Sequence, residues 1–162
     1  MERRRGLLQI QAGAAEEKPL QTVSDLFEFA EEVGIDIDEY KMAWAESLSI
    51  PLPNGTCAIA IDPSKIISTA DAKAKLAHEM GHCCTGSFYN KYAACDVRQK
   101  HENRANRWAI QKLIPEEELD DAVANGCTDI FSLAEHFEVT EDFMRMAVCW
   151  YTHGNLAVDL HF

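Results

Sequence analysis

Residues 75–84 read KLAHEMGHCC, and this stretch constrains the chain more than any other. His78 and His82 are four positions apart, so on a helix they lie on one face and can present two imidazoles to one metal ion. Glu79 follows His78 directly and can reach a metal-bound water without binding the ion itself. This is the pattern of two metal ligands and a general base, and it would occur by chance in roughly 2% of shuffled chains of this composition.

The residues around this motif predict a helix that follows a small sheet. Ser68 or Thr69 can cap the helix, and Asp71 lies in its first turn, where the helix dipole favours an acidic side chain. Gly81 is expected to let another backbone or a substrate approach closely, since a glycine inside a helix otherwise costs about 1 kcal/mol relative to alanine. Residues 47–68, SLSIPLPNGTCAIAIDPSKIIS, have short β-branched runs separated by tight turns, which predicts a small antiparallel sheet.

The other periodic segments predict helices at residues 22–34, 102–114, 116–124, 130–137 and 140–151. Helix, small sheet and then further helices indicate an α+β fold, with the antiparallel sheet packed on a helical core. The 162 residues are expected to form one domain over residues 21–162, with a helical C-terminal part over residues 115–162. Residues 1–20 are expected to be a loosely ordered extension.

A catalytic metal ion with these two histidines needs a third protein ligand and an open position for water. Glu102 has the strongest case, because it aligns with Ala105 and places a carboxylate on the apolar face of its helix. Helical rotation carries Cys83 and Cys84 away from the face of His82, so both cysteines are expected to pack in the core. The downstream candidates for the third ligand are Cys83, Cys84, Cys95, Asp96, His101, Glu102, His136 and His153.

Composition argues against several classes of protein. No apolar run approaches the ~18 residues of a membrane span, and the first 20 residues become polar too soon for a secretory signal. The six cysteines form no CxxC motif and are expected to be free, mostly buried thiols in a reducing cytoplasm. The net charge of −12 argues against binding to a phosphate backbone and favours a basic partner.

Two neighbouring motifs, HEMGH and ENRANRWAIQKLIP, together resemble the ImmA/IrrE family of small metallopeptidases. In that family a helix with HExxH is followed by a second helix of pattern E-x-x-A-x-x-[FW]-A-x-x-L-[IM]-P. The similar stretch covers most of the chain, and the preceding segment GTCAIAIDPSKIISTADAKAKLAHEMGH resembles versions from phage and mobile elements. The positions that match the second pattern are Glu102, Ala105, Trp108, Ala109, Leu113, Ile114 and Pro115.

The resemblance implies a zincin-like helical core and a zinc-dependent endopeptidase of the HExxH…E type. It also implies a cytoplasmic enzyme that cleaves a helix-turn-helix transcriptional repressor. His78, His82 and Glu102 would be the zinc ligands and Glu79 the general base. The residue that stabilises the oxyanion stays open among Tyr89, Tyr92, His101, Tyr151 and His153.

Two alternatives stay open from the residues alone. The chain could be a regulatory protein that binds such a repressor without cleaving it, with a structural or vestigial metal site. Glu79 favours the enzyme, because a structural site needs no base beside its ligands. The metal is also open, since two imidazoles and one carboxylate bind several divalent ions.

The C-terminal third, with FSLAEHFEVTEDFMRMA at residues 131–147, resembles a helix-turn-helix unit with a turn at Glu138 and Val139 and a cap at Thr140. From Glu116 to the end there are eleven acidic residues, one arginine, Arg145, and no lysine. This charge argues against direct binding to nucleic acid, because acidic side chains repel phosphates. The unit is therefore expected to pack beneath the site or to dock a basic repressor.

Overall fold

The structure, a computed structural model, describes residues 19–154 and residue 156. Its helices and strands follow the order helix, sheet and then helices, which confirms the α+β fold class. Most of the predicted extension lies outside the described residues, but Leu20 is buried and its backbone N–H donates to the carbonyl of Lys112. The elements are α1 Val23–Val33, β1 Ile35–Glu39, β2 Ser47–Pro51, β3 Cys57–Ile61, a 3-10 turn Pro63–Lys65, α2 Thr69–Thr85, α3 Cys95–Leu113, α4 Glu116–Ala124, α5 Ile130–Phe137 and α6 Glu141–His153.

The sheet is mixed, whereas the sequence predicted an antiparallel one. Strand β3 lies in the middle, with β2 antiparallel on one side and β1 parallel on the other. A tight turn between β2 and β3 indicates their antiparallel pairing in the sequence. Strand β1 instead pairs with β3 across a long separation in the chain, and a parallel pair has no tight turn that would indicate it. Alternate residues of β3 are buried, which turns one face of the sheet toward the helices.

The motif helix α2 begins and ends as its sequence predicts. The side chain of Ser68 accepts a hydrogen bond from the backbone N–H of Asp71, and Gly86 ends the helix in the left-handed conformation. Helix α3 starts at Cys95, earlier than the predicted start at residue 102. It ends at Leu113, two residues before Pro115. Its first turns were missed because they are exposed and carry no apolar stripe.

Helices α2 and α3 pack tightly at Gly81. A Cβ atom added to Gly81 would overlap the carbonyl oxygen of Ala105 and would lie 2.9 Å from its carbonyl carbon. The close approach predicted for Gly81 is therefore to the backbone of α3. On the same helix pair Met80 and Ile110 are fully buried, so the contact belongs to the hydrophobic core. This packing brings the first half of α3 alongside the two histidines of α2.

Two cysteine expectations are wrong. Cys57, at the start of β3, and Cys83, on α2, form a disulfide with their Cα atoms 5.8 Å apart. They meet because β3 packs against α2, a tertiary contact that the spacing of the cysteines does not reveal. Cys84 is exposed rather than packed in the core.

The C-terminal helices α5 and α6 pack against each other, and α6 also contacts α3. Glu138 joins α5 to α6 in the left-handed conformation, and the side chain of Thr140 caps α6 as predicted. Arg145 is paired with Glu141 and Asp142 on its own helix. The basic side chain of this unit is therefore already neutralised by its neighbours.

Among the described residues, no helix is both long enough and apolar enough to cross a membrane.

Candidate metal centre

Three side chains from two helices converge at one point. The Nε2 atoms of His78 and His82 are 3.1 Å apart. A carboxylate oxygen of Glu102 lies 3.1 Å from Nε2 of His78, and the other lies 3.3 Å from Nε2 of His82. The three ligand atoms lie within 4.8 Å of one another, so these residues could hold a metal ion. The structure thus brings together the three candidate ligands that the sequence selected.

Each histidine ring is held by a hydrogen bond on the side away from this point. Nδ1 of His82 lies 2.6 Å from the carbonyl oxygen of Ser87, and Nδ1 of His78 lies 2.6 Å from Oδ1 of Asn106. A carbonyl oxygen can only accept, so Nδ1–H of His82 donates, and the neutral ring carries its lone pair on Nε2. Oδ1 of Asn106 likewise accepts a hydrogen bond from Nδ1–H of His78. Such hydrogen-bond partners commonly orient metal-binding histidines.

The positions of these three side chains suit a bound cation. Two neutral imidazoles held in this way direct their Nε2 lone pairs toward each other across 3.1 Å, which is unfavourable without a positive charge between them. Two imidazole nitrogens and a carboxylate oxygen are donors that suit divalent transition metals. The donor set therefore fits a metal ion, and the three residues line a common cleft.

The charges at the centre are strongly coupled. When His78 and His82 are protonated, their Nε2–H groups can donate to Glu102, and this interaction holds the pKa of Glu102 far below its usual range, although burial opposes the shift. Burial lowers the pKa of His78, but the hydrogen bond to Glu102 and the charges of Glu79 and Glu102 outweigh it, so the pKa is raised overall. Glu102 is therefore a carboxylate at neutral pH, which is the form that binds a metal ion.

Glu79 is held by two serine hydroxyls. The hydroxyl of Ser47 donates to one carboxylate oxygen at 2.7 Å, and the hydroxyl of Ser49 donates to the other at 2.7 Å. Both serines lie on β2, which packs against α2. Glu79 is only 7% exposed, yet it lines the same cleft as His78. The predicted general base thus lines the same cleft as the three candidate ligands and is not a member of their group.

A cleft of about 340 Å³ opens onto the ligand group. The hydroxyl of Tyr89 donates to Glu102 at 2.6 Å, and this bond together with burial raises the pKa of Tyr89 to about 12. Tyr89 is therefore a proton donor over the physiological range. The residues that line the cleft are Trp44, Ser47, Leu48, Ser49, His78, Glu79, His82, Ser87, Phe88, Tyr89, Lys91 and Glu102.

The other predicted stabilisers of the oxyanion do not line this cleft. The ring centroids of His101 and Tyr89 are 6.0 Å apart, but His101 itself does not line the cleft, and Tyr92 is 82% exposed. Tyr151 lines a different groove, formed by the C-terminal helices. Its hydroxyl donates to the carbonyl of Ile114. His153 is in the last turn of α6 and is also absent from the lining.

Three supporting residues, Ser47, Ser49 and Ser87, were not predicted from the sequence. Ser87 acts through its backbone carbonyl, which leaves no side-chain signal. Ser47 and Ser49 occupy alternate positions of a predicted strand, so their place on one face could be foreseen, but their partner could not. Asn106 is a further supporting residue, one turn after Glu102 on the predicted helix, and this spacing indicates that it shares a helix face with Glu102.

A search of solved structures found a protein of similar fold. The structure is similar to a solved Mycobacterium tuberculosis transcriptional regulator, with a TM-score of 0.59 and 14% sequence identity. The similarity covers 85% of this chain and 42% of that chain, so this chain spans less than half the length of that protein. At this identity the likeness concerns the fold alone. A comparison with curated protein sequences gave no significant match.

The sequence itself matches a family model. The match covers residues 30–148, from α1 to α6, and so includes the three metal-binding candidates and Glu79. The chain belongs to the Peptidase_M78 family, described as the IrrE N-terminal-like domain.

Proposed function

We propose that this protein is a zinc-dependent endopeptidase. The observation that supports the proposal is that His78, His82 and Glu102 form a group that could hold a metal ion, in a cleft that Glu79 also lines. Membership of a peptidase family supports the same reaction class. A purely structural site would have no use for an additional buried carboxylate in the same cleft.

Zinc, when bound by these ligands, would polarise the substrate carbonyl and lower the pKa of a water molecule toward ~7. Glu79 takes a proton from the attacking water and later delivers it to the leaving amine. Tyr89 is the residue that we propose to stabilise the oxyanion, because its hydroxyl is protonated and lies in the cleft. Asn106 and Ser87 keep the two imidazoles in the ligand orientation.

We propose that the substrate is a helix-turn-helix transcriptional repressor. Support comes from the sequence resemblance to the ImmA/IrrE family and from the net charge of −12, which suits a basic DNA-binding protein. The solved protein of similar fold is named a transcriptional regulator, which is compatible with a role in the same process.

The test combines metal content with proteolysis. The zinc-loaded protein and its Glu79→Gln variant are each incubated with a candidate helix-turn-helix repressor, such as one encoded by a neighbouring gene, and the products are followed by mass spectrometry. We expect the wild type to cut the repressor at a defined bond and the variant to leave it intact. Binding without cleavage by both proteins would instead indicate a regulatory protein that holds the repressor.

A further inference from the structure

We propose that Ser47 and Ser49 are positioning residues that hold the carboxylate of Glu79 for catalysis. The proposal rests on the proposed peptidase function and adds two residues that neither the motif nor the family match assigns. It depends on one geometric fact, which is that each oxygen of the Glu79 carboxylate accepts a separate hydroxyl at 2.7 Å.

The two hydroxyls come from a rigid element. Ser47 and Ser49 are alternate residues of β2, so their side chains lie on the same face of the strand. The strand register fixes them along the sheet, because Ser47 lies opposite Ile61 and Ser49 opposite Ile59. Since Ile59 is buried in the core, β2 cannot slide without disrupting the sheet. The position of the carboxylate is therefore tied to the sheet as well as to α2.

The two bonds leave Glu79 able to accept a proton. A carboxylate oxygen has two acceptor sites, so one site on each oxygen remains for water or substrate. After protonation, each oxygen can still accept from its serine, because neither serine has to become an acceptor. The carboxyl group can thus stay in one place while it takes the proton from water and passes it on.

Placement matters because a glutamate side chain has several rotatable bonds. Without the hydroxyls, Glu79 would be a buried carboxylate with two unpaired oxygens, and it would turn toward other donors or solvent. Displacement of a catalytic group by 1 Å can cost about 100-fold in rate. The strand therefore contributes to catalysis through Glu79, even though it carries no group that reacts.

The kinetic test uses zinc-loaded Ser47→Ala, Ser49→Ala and the double variant, with the repressor as substrate. We expect kcat to fall about 10-fold for each single variant and about 100-fold for the double variant, while KM and zinc per chain stay unchanged. Ser49→Thr keeps a hydroxyl and should recover most of kcat. Ser64→Ala is the matched control, because Ser64 donates to the buried carboxylate of Asp62 outside the cleft.

A second readout needs no activity and no zinc. The melting temperatures of the zinc-free protein, the double serine variant, Glu79→Met and the triple variant form a thermodynamic cycle. We expect the serine substitutions to lower the melting temperature when Glu79 is present. In the Glu79→Met background the same substitutions should leave the melting temperature nearly unchanged or raise it. An equal loss in both backgrounds would show that the hydroxyls do not act through Glu79 and would overturn the proposal.

The outcomes separate this proposal from the proposed function. A double serine variant with full kcat, beside an active wild type and an inactive Glu79→Gln variant, would overturn the positioning role alone. A wild type that binds zinc but does not cleave the repressor would overturn the peptidase function and, with it, the catalytic role of the serines. Equal loss of kcat in Ser64→Ala would show that the serine effects reflect stability only.

Discussion

The carbonyl group of Ala105 occupies the space that a side chain at Gly81 would need. This contact sets the distance between α2, which carries both histidines, and α3, which carries Glu102 one turn before Ala105. The absence of a side chain at Gly81 therefore lets the two helices approach closely enough for the three candidate ligands to converge.

Gly81→Ala should destabilise the fold and weaken metal binding. The obstructing atoms belong to the backbone, so the helices have to move apart, and overpacking of this kind costs about 1–3 kcal/mol. The free energy of unfolding, measured with urea, should fall by that amount despite the better helix propensity of alanine. Ala105→Gly should not rescue the variant, since it leaves the carbonyl in place. A neutral Gly81→Ala variant would contradict this packing.

Replacement of Asn106 should loosen the metal without removing a ligand. Asn106→Ala leaves Nδ1 of His78 without its acceptor, and loss of such an orienting partner typically lowers metal affinity 10–100-fold, or about 1.4–2.8 kcal/mol. Competition with a chelator measures the change. Asn103→Ala is the control, because Asn103 lies on the same helix and accepts a hydrogen bond from Gln99 instead. Equal losses in both variants would exclude an orienting role.

Removal of the Tyr89 hydroxyl should slow the reaction more than it weakens metal binding. For Tyr89→Phe we expect kcat to fall about 100-fold, as for loss of a donor to an oxyanion, with zinc affinity close to that of the wild type. Tyr92→Phe, at an 82% exposed position, should behave as the wild type. If the Tyr89→Phe variant instead loses zinc but keeps its kcat when saturated with zinc, Tyr89 only supports Glu102.

Stability should decline at alkaline pH through Tyr151. Burial, with a smaller effect of Glu116, raises the pKa of Tyr151 to about 12, whereas an unfolded tyrosine ionises at about 10. The folded protein thus retains the proton to higher pH, so this stabilisation is complete below about pH 10 and is lost as the pH rises toward 12. In urea unfolding at a series of pH values, Tyr151→Phe should show a smaller decline than the wild type. An identical decline in both proteins would exclude this contribution.

The sequence predicts the ligand group because its signals are local. The spacing of His78 and His82 needs only helical geometry, and the carboxylate of Glu102 is notable because it lies on an apolar helix face. The caps at Ser68 and Thr140 are likewise marked by neighbouring residues, and the structure confirms both. Features that depend on one short segment could therefore be predicted.

The features that escaped prediction depend on tertiary packing. Strand β1 pairs with β3 across a long separation, and the disulfide of Cys57 with Cys83 requires β3 to lie on α2. The partner of Ser47 and Ser49 is determined by the packing of β2 against α2. Tyr89 could not be ranked above Tyr151, because only the folded chain shows that one hydroxyl reaches Glu102 and the other reaches Ile114.

The most direct test is a zinc titration of three purified proteins by calorimetry, with melting temperatures recorded for each. The wild type and Glu79→Gln should bind one zinc ion per chain and melt at a higher temperature with zinc, because a ligand at 100 times its Kd adds about 2.7 kcal/mol of stability. Glu102→Ala should bind zinc far more weakly and show little increase. No zinc binding by the wild type, or equal binding by the wild type and Glu102→Ala, would contradict a zinc centre formed by His78, His82 and Glu102.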